Sequence, residues 1–170
     1  MRLLTPAVKY WVCKSAPAFL YEAMECLGGN GYVEDGILAR HYRESPVNAI
    51  WEGSGNVMCL DVLRALAREA DAALAVLRDL TDQTQGLTGA SEAVAFGKAF
   101  RRPDSERVAR LAVEKLALLA AAAALNAVSP HHAELFAATR LAGNHASMYG
   151  AVDLAGADVA GLLERALPGK

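Results

Sequence analysis

Apolar residues recur at three- and four-residue intervals along most of the chain, which is the spacing of helices with one buried face. Such a series predicts a first helix over Leu3–Leu27, which Pro17 should kink and the glycines of Leu27–Gly31 should end. A second helix is predicted from Gly55 onward, because its apolar positions form one continuous seam. Tyr32–Ser54 has mixed polarity, so loops with at most short turns are expected there. The seam consists of Leu60, Leu63, Ala67, Ala70, Leu74 and Leu77.

The second half of the chain continues the helical pattern after a polar linker. A short helix is expected over Ser91–Phe100, and Pro103-Asp104-Ser105 is a typical start for a long alanine-rich helix that runs to Ala127. Two more helices, separated near Gly143-Asn144, should complete the chain. Since no alternating β-branched run occurs, the sequence predicts an all-α fold, an antiparallel up-and-down helical bundle that forms a single domain over residues 1–170.

Composition supports a folded protein and argues against binding driven by bulk charge. Of the 170 residues 54% are hydrophobic and 21% are charged, which disfavours disorder. The formal net charge is -2, so a nucleic-acid partner is not expected. The longest apolar stretch, Leu116–Asn126, is too short to span a bilayer. One basic cluster is interleaved with acids and is interpreted as a solvated helix face: Lys98, Arg101, Arg102, Arg107 and Arg110.

Cysteine and histidine spacing does not indicate a metal site or a disulfide framework. Cys13, Cys26 and Cys59 form no C-x-x-C pair and are interpreted as buried free thiols. His131 and His132 are adjacent, so a helix would direct them to different faces. Because no signal peptide is visible after Met1, the expected location is the cytoplasm.

The irregular middle of the chain contains the only pattern that points to chemistry. Its glycines do not form a dinucleotide fingerprint, because Glu34 occupies the third glycine position and a helix precedes the motif. They form no P-loop either, since no Gly-Lys-Ser/Thr follows them. They can still allow close approach of a backbone or a phosphate. In Trp51–Asn56 a tryptophan and a glutamate precede a helix start, a setting that favours a nearby anion and that suits a general base if Glu52 is partly buried.

Two ordered motifs in this region resemble the acyl-CoA dehydrogenase family. The first is L-G-G-x-G-Y at Leu27–Tyr32, and the second is aromatic-E-G-S at Trp51–Ser54. Between them, Leu38–Glu44 is similar to the family's R-D/E stretch, and the wording of Tyr42–Leu66 is most similar to its AidB-like branch. The resemblance is strong over Leu3–Leu80, and beyond that only the helical character agrees.

The resemblance implies a role for each motif residue. Glu52 would be the catalytic base that removes the α-proton of an acyl-CoA thioester while the β-hydride passes to flavin. Trp51 would line the acyl pocket, where it replaces the commoner tyrosine. The glycine segment would approach the FAD of a neighbouring subunit. The implied cofactor contacts are those of Gly28, Gly29, Gly31, Ser54 and Asn56.

Two functions follow from this resemblance. The first is the C-terminal domain of an FAD-dependent acyl-CoA dehydrogenase-like oxidoreductase, expected to be inactive because the family's N-terminal helical domain and middle β-domain are absent. An acyl-CoA substrate is then expected only once those domains complete the site. The alternative is a non-catalytic helical module for oligomerisation or binding, derived from that family and of the AidB-like alkylation-response type. A homo-oligomer is expected in both cases.

Overall fold

The computed structural model describes residues 3–97, 100 and 104–167, and among these it contains helices, turns and loops but no strand. The predicted all-α helical bundle is therefore confirmed for the described residues. Nine α-helices lie in that part of the chain, together with a 3₁₀ helix and a π-helical segment. The helices are α1 (Leu4–Glu25), α2 (Gly29–Tyr32), α3 (Leu38–Glu44), α4 (Gly55–Arg68), α5 (Ala70–Gln83), α6 (Ala90–Gly97), α7 (Ser105–Asn126), α8 (Pro130–Phe136) and α9 (Gly156–Ala166), with the 3₁₀ helix at Ser45–Ala49 and the π segment at Ala137–Leu141.

Helix α7 lies at the centre of the bundle and contacts α1, α4, α5, α6 and α8. Four consecutive residues, Leu116–Leu119, are each buried, so this helix has neighbours on all sides rather than on one stripe. Its many alanines let those neighbours approach closely, because a methyl group adds little to the interaxial distance. The predicted long alanine-rich helix is thus confirmed, and its alanine content is explained by its central position.

Helix α1 is the support on which the irregular middle of the chain rests. It contacts α2, α3, the 3₁₀ helix, α4 and α7, and it remains one element although Pro17 lies inside it. Ala7 of α1 and Val62 of α4 have no exposed surface, which marks the point where these helices meet the core around α7. The three short helices between Gly28 and Ser54 therefore all pack against α1.

Two predictions about the boundaries of elements were wrong. The seam from Leu60 to Leu77 does not lie on one helix, because Glu69 adopts a non-helical conformation (φ -127°, ψ 50°) that separates α4 from α5. Tyr32–Ser54 is not a loop, because α3 and the 3₁₀ helix occupy Leu38–Ala49. Helical spacing of apolar residues does not reveal a break at a single residue. Helix α3 has so few apolar residues among its polar ones that its helical spacing is not evident in the sequence. Local sequence signals were too weak to show either feature.

The seam residues line an open groove rather than a closed core. The groove has a volume of about 1180 Å³ and lies between α4, α5, α6 and the first half of α7. Both helices that carry the seam contribute to it. All six residues of the seam line the groove: Leu60, Leu63, Ala67, Ala70, Leu74 and Leu77.

The remaining helices agree with the sequence in number and order. Helix α6 ends at Gly97 in the structure, and Lys98 lies outside the described residues. The two predicted C-terminal helices are α8, which continues into the π segment, and α9, with an irregular stretch from Ala142 to Ala155 between them. Lys115 of α7 donates to the carbonyl of Leu141 at 2.7 Å and so holds the end of the π segment. Among the described helices none has the length and apolar character that crossing a membrane requires.

Candidate functional site

The turn that carries Glu52 connects the 3₁₀ helix to α4 and has an unusual backbone. Glu52 has φ +56°, and among the described residues no other non-glycine residue has a positive φ. Gly53 follows with φ +114°, and α4 begins two residues later at Gly55. A left-handed conformation at a residue with a Cβ costs about 1 kcal/mol or more, so the surrounding structure must hold Glu52 in place. Such backbone outliers concentrate at functional sites.

The glycines of this turn pack closely against side chains of α1 and α4. A Cβ on Gly53 would lie 2.4 Å from Cε of Met58. A Cβ on Gly55 would lie 2.9 Å from Cε of Lys14 and 3.3 Å from the ring of Tyr10. Both lysine and tyrosine belong to α1, so the start of α4 is seated directly on α1. The glutamate of the turn is thereby fixed at a defined place on the bundle surface.

A lysine of α1 joins the two sides of the Glu52 turn. The ammonium of Lys9 donates hydrogen bonds to the carbonyl oxygens of Trp51, at 2.7 Å, and of Gly53, at 2.8 Å. These two carbonyls belong to the residues immediately before and after Glu52. Charge-assisted hydrogen bonds of this length are among the stronger polar contacts in proteins. No sequence pattern indicates this residue, because the contacts join positions 42 and 44 residues apart.

The side chains of the turn face solvent, while the surface below them is apolar. Glu52, Ser54 and Asn56 are exposed, and Trp51 is 58% exposed. The described residues therefore do not supply the partial burial that would suit Glu52 to a general base.

Two titratable groups lie under the turn and are shifted by their apolar surroundings. Burial raises the pKa of the Tyr10 phenol, and the nearby Cys59 thiol raises it further. Burial also raises the pKa of Cys59, so this thiol remains protonated at neutral pH. Among the three cysteines Cys59 is buried as predicted, Cys13 is half-buried, and Cys26 is exposed. The prediction of burial was wrong for Cys26, because it lies just past the end of α1.

The start of α4 suits an anionic or carbonyl group. Ser54 precedes the helix in an extended conformation, and its hydroxyl makes no capping bond to the helix. The first intrahelical bond runs from the Met58 amide to the Ser54 carbonyl, at 3.0 Å. The earlier amides of the first turn therefore have no intrahelical acceptor and are directed at whatever lies beyond the helix end. Ser54 and Asn56, both exposed here, fit the cofactor contacts predicted from the sequence.

The glycine segment is divided between an open part and a packed part. Gly28 has φ +57°, and a Cβ on Gly28 or Gly29 would have no atom within 4 Å. Gly31 is buried, and its Cβ would lie 2.2 Å from the carbonyl oxygen of Met24. Gly28 and Gly29 therefore offer an open, side-chain-free surface that fits close approach by a phosphate. Gly31 instead lets α2 lie against the backbone of α1.

Within one chain, the structure brings the turn residues together but keeps the glycine segment apart from them. Lys9 touches the Glu52 turn near the start of α1, whereas Gly28 follows the end of that helix. With a rise of 1.5 Å per residue, these two points are separated by about 25 Å along α1. Trp51, Glu52 and Ser54 thus form one local site. The glycines form a second one at the other end of the helix.

An ion pair holds the segment after the glycines to α3. Arg43 of α3 donates to both carboxylate oxygens of Glu34, one of these bonds measuring 2.9 Å. The hydrogen bond from Arg43 lowers the pKa of Glu34 from its ordinary value of 4.5. The contribution of this pair is therefore complete above that ordinary value, and it is lost as the pH falls through the lower value of the folded state.

The histidines and the basic cluster do not form a second site in the part of the chain that the structure describes. Nε2 of His131 lies 3.1 Å from Oδ1 of Asp158, and Nδ1 of His132 lies 2.6 Å from the hydroxyl oxygen of Ser129. His41 is exposed on α3. Among the described residues no group of three potential ligands is placed to hold a metal ion. Of the basic cluster, Arg107 and Arg110 are exposed, while Lys98, Arg101 and Arg102 lie outside the described residues.

The strain at Glu52 predicts a difference between two substitutions at this position. Glycine adopts φ +56° freely, whereas alanine keeps a Cβ, and both remove the carboxylate. The Glu52→Gly variant is therefore expected to be more stable than Glu52→Ala by about 1 kcal/mol. Urea unfolding followed by circular dichroism measures this difference. Equal midpoints for the two variants would show that the turn does not hold residue 52 in the left-handed conformation.

Comparison with known proteins gives consistent matches over the first two-fifths of the chain. Residues 2–67 match the family model described as acyl-CoA dehydrogenase, C-terminal domain. AidB of Escherichia coli (strain K12) is 62% identical over 69 residues, which are 41% of this chain and 13% of AidB. Acyl-CoA dehydrogenase family member 11 of Caenorhabditis elegans is 43% identical over 75 residues, which are 44% of this chain and 12% of that protein.

A third relative extends the match to a mitochondrial enzyme. The short-chain specific acyl-CoA dehydrogenase of Bos taurus is 39% identical over 49 residues, which are 29% of this chain and 12% of that protein. The matched stretch spans only 12% to 13% of the length of these relatives. The residues matched by the family model, 2–67, include the glycine segment, α3, the Glu52 turn and nearly all of α4.

Residues 2–67 of the chain thus match the acyl-CoA dehydrogenase family at its C-terminal domain, and they are helical as that domain is. Within the family, the identity of 62% to AidB confirms the prediction of the AidB-like branch. Both predicted motifs lie inside the matched residues.

Proposed function

We propose that this chain contributes the base-bearing part of an acyl-CoA dehydrogenase-like active site. The observation that supports this most is the Glu52 turn, where a solvent-facing carboxylate is held in a left-handed backbone conformation beside Trp51 and the start of α4. Surface glutamates without a function have no need of such a backbone. The family match over residues 2–67 includes this turn and supports the role of a base for Glu52.

In the proposed reaction Glu52 removes a proton from the α-carbon of an acyl-CoA thioester. FAD, held in part by Ser54 and Asn56, would supply the acceptor for the hydride of the β-carbon, so that loss of the proton and the hydride would leave a carbon–carbon double bond. Trp51 would form one wall of the acyl pocket and exclude water from the carboxylate. Because Glu52 is exposed in this chain, the other walls have to come from another domain or another chain.

The proposed cofactor contacts come from two places on the surface. Ser54 and Asn56, at the start of α4, would contact the flavin that lies beside Glu52. Gly28 and Gly29 lie about 25 Å away along α1 and have open space around them. They fit a contact with the cofactor of a second copy of the chain, and a homo-oligomer is therefore part of the proposal.

Visible absorption spectroscopy of the purified chain tests this proposal. The spectrum is recorded before and after addition of FAD and removal of free flavin on a desalting column. A retained flavin band would support the proposal that this helical region holds cofactor, and Ser54→Ala combined with Asn56→Ala should then weaken retention. A colourless protein after desalting would contradict cofactor binding by the chain alone, and flavin retention would then be measured together with the domain or chain that supplies the other walls.

The second candidate is a non-catalytic helical module that associates with itself or with another protein. The observation that favours it is a set of large apolar side chains left exposed around the site, of which Tyr32 is 77% exposed and Ile50 is 66% exposed. Exposed patches of this kind mark interaction surfaces. Sedimentation velocity of a colourless chain tests this candidate: a stable oligomer without flavin supports it, and a monomer contradicts it.

A further inference from the structure

We infer that Lys9 is a positioning residue for Glu52, and that its ammonium holds the glutamate in the left-handed backbone conformation from which the carboxylate faces the site. The inference deepens the proposed function, since the role of Glu52 as a base rests on it. It goes beyond the motif residues, because Lys9 lies in neither motif and is 18 residues before the glycine segment begins at Leu27.

The geometry around Glu52 indicates that one ammonium group restrains the backbone on both sides of this residue. The ammonium accepts no bonds and has three donors, two of which reach the carbonyls of Trp51 and Gly53 at 2.7 Å and 2.8 Å. A residue with φ +56° between these carbonyls turns the chain sharply. Both carbonyls can therefore meet one cation, and rotating Glu52 back to a negative φ would move at least one of them away.

No other contact among the described residues bonds the backbone carbonyls on both sides of Glu52. Gly53 and Gly55 are packed against Met58, Lys14 and Tyr10, but these contacts restrain the turn from below without bonding its carbonyls. The Trp51 amide bonds the Val47 carbonyl at 3.0 Å, which anchors only the side of the turn before Glu52. Lys9 alone connects the residue before Glu52 with the residue after it. The cation would also remain in place during proton transfer, because it bonds backbone oxygens and not the base.

Hydrogen exchange in the chain as it exists tests this role without requiring flavin. The Trp51 and Met58 amides are informative, because they are hydrogen-bonded on either side of the turn. In Lys9→Met both should exchange about tenfold faster, since two charge-assisted bonds are lost from a partly exposed site. Lys14→Met is the matched control, as Lys14 is on the same helix and its Cε lies next to Gly55 at the end of the same turn.

The conservative variant separates positioning from general packing. Lys9→Arg keeps a cation with several donors and should restore slow exchange at Trp51 and Met58, whereas Lys9→Gln should not. Unchanged melting temperatures together with a local change at the turn would match the inference. Equal exchange at Trp51 and Met58 in Lys9→Met and in the unmodified chain would overturn it.

A second measurement covers the case in which Lys9→Met does not fold. In the unmodified protein, the side-chain ammonium protons of Lys9 should exchange with water more slowly than those of Lys14, as measured by ¹⁵N NMR at low temperature. Equal rates for the two ammonium groups would overturn the inference. None of these readouts involves flavin, so a colourless protein in the absorption experiment bears only on cofactor binding by the chain alone and leaves the result on Lys9 intact.

Discussion

Replacing Glu52 with glutamine is expected to slow the reduction of bound flavin by an acyl-CoA thioester at least about a hundredfold, in any preparation that holds flavin. The amide keeps the size and the hydrogen-bonding reach of the side chain but has no basic carboxylate. The loss should lie in the rate of reduction and not in flavin retention, because Glu52 is the proposed base whereas the proposed flavin contacts are those of Ser54 and Asn56. Stopped-flow absorption of the flavin band measures both quantities.

Two controls make this result specific to the carboxylate. Glu52→Asp keeps a base but shortens its reach, so it should retain more activity than Glu52→Gln. Glu44→Gln changes an exposed glutamate of α3 and should leave the rate unchanged within about twofold. A Glu52→Gln protein that reduces flavin at the unmodified rate would show that another group removes the proton.

The second large effect is expected at the glycine segment, where Gly31→Ala should destabilise the fold by about 3 kcal/mol. Its Cβ would lie 2.2 Å from the carbonyl oxygen of Met24 and 2.8 Å from the carbonyl carbon of that residue. Both are backbone atoms of α1, so no side-chain rotation can relieve the clash. The whole of α2 would have to move away from α1. Urea unfolding monitored by circular dichroism gives the change in the free energy of unfolding.

The neighbouring glycine provides a matched control that also tests the cofactor contact. A Cβ on Gly29 would meet no atom within 4 Å, so Gly29→Ala should change the free energy of unfolding by less than about 0.5 kcal/mol. If Gly29 faces a cofactor of a second copy, the same variant should lower flavin retention although the fold is intact. Equal stability of the Gly31→Ala and Gly29→Ala proteins would contradict the packing of α2 against α1.

The different surroundings of these two glycines show that a sequence motif does not distinguish a packing role from a binding role. In the sequence, Gly28, Gly29 and Gly31 share one predicted role, the close approach of a cofactor. The structure gives Gly31 a packing role against Met24 and leaves Gly28 and Gly29 open. The motif is thus explained in part by the fold itself. The glycines of one motif can thus have two roles, the packing of helices and the approach of a cofactor.

The sequence by itself determined the helical class, the long alanine-rich helix and the resemblance to the acyl-CoA dehydrogenase family. Helical periodicity and the absence of alternating strands are local properties, and the two ordered motifs at residues 27–32 and 51–54 needed no structure to be found. The candidate base, Glu52, was found in the same way. These features depend on residues close together in the chain, and local patterns report them well.

Only the tertiary structure decided how the site is held. The break at Glu69, the left-handed conformation of Glu52 and the hydrogen bonds from Lys9 arise from contacts between distant segments, and no local pattern encodes them. The separation of the glycine segment from the Glu52 turn likewise follows from the length of α1. Backbone strain is stable only where surrounding packing opposes it, so it becomes visible only when the packed neighbours are in place.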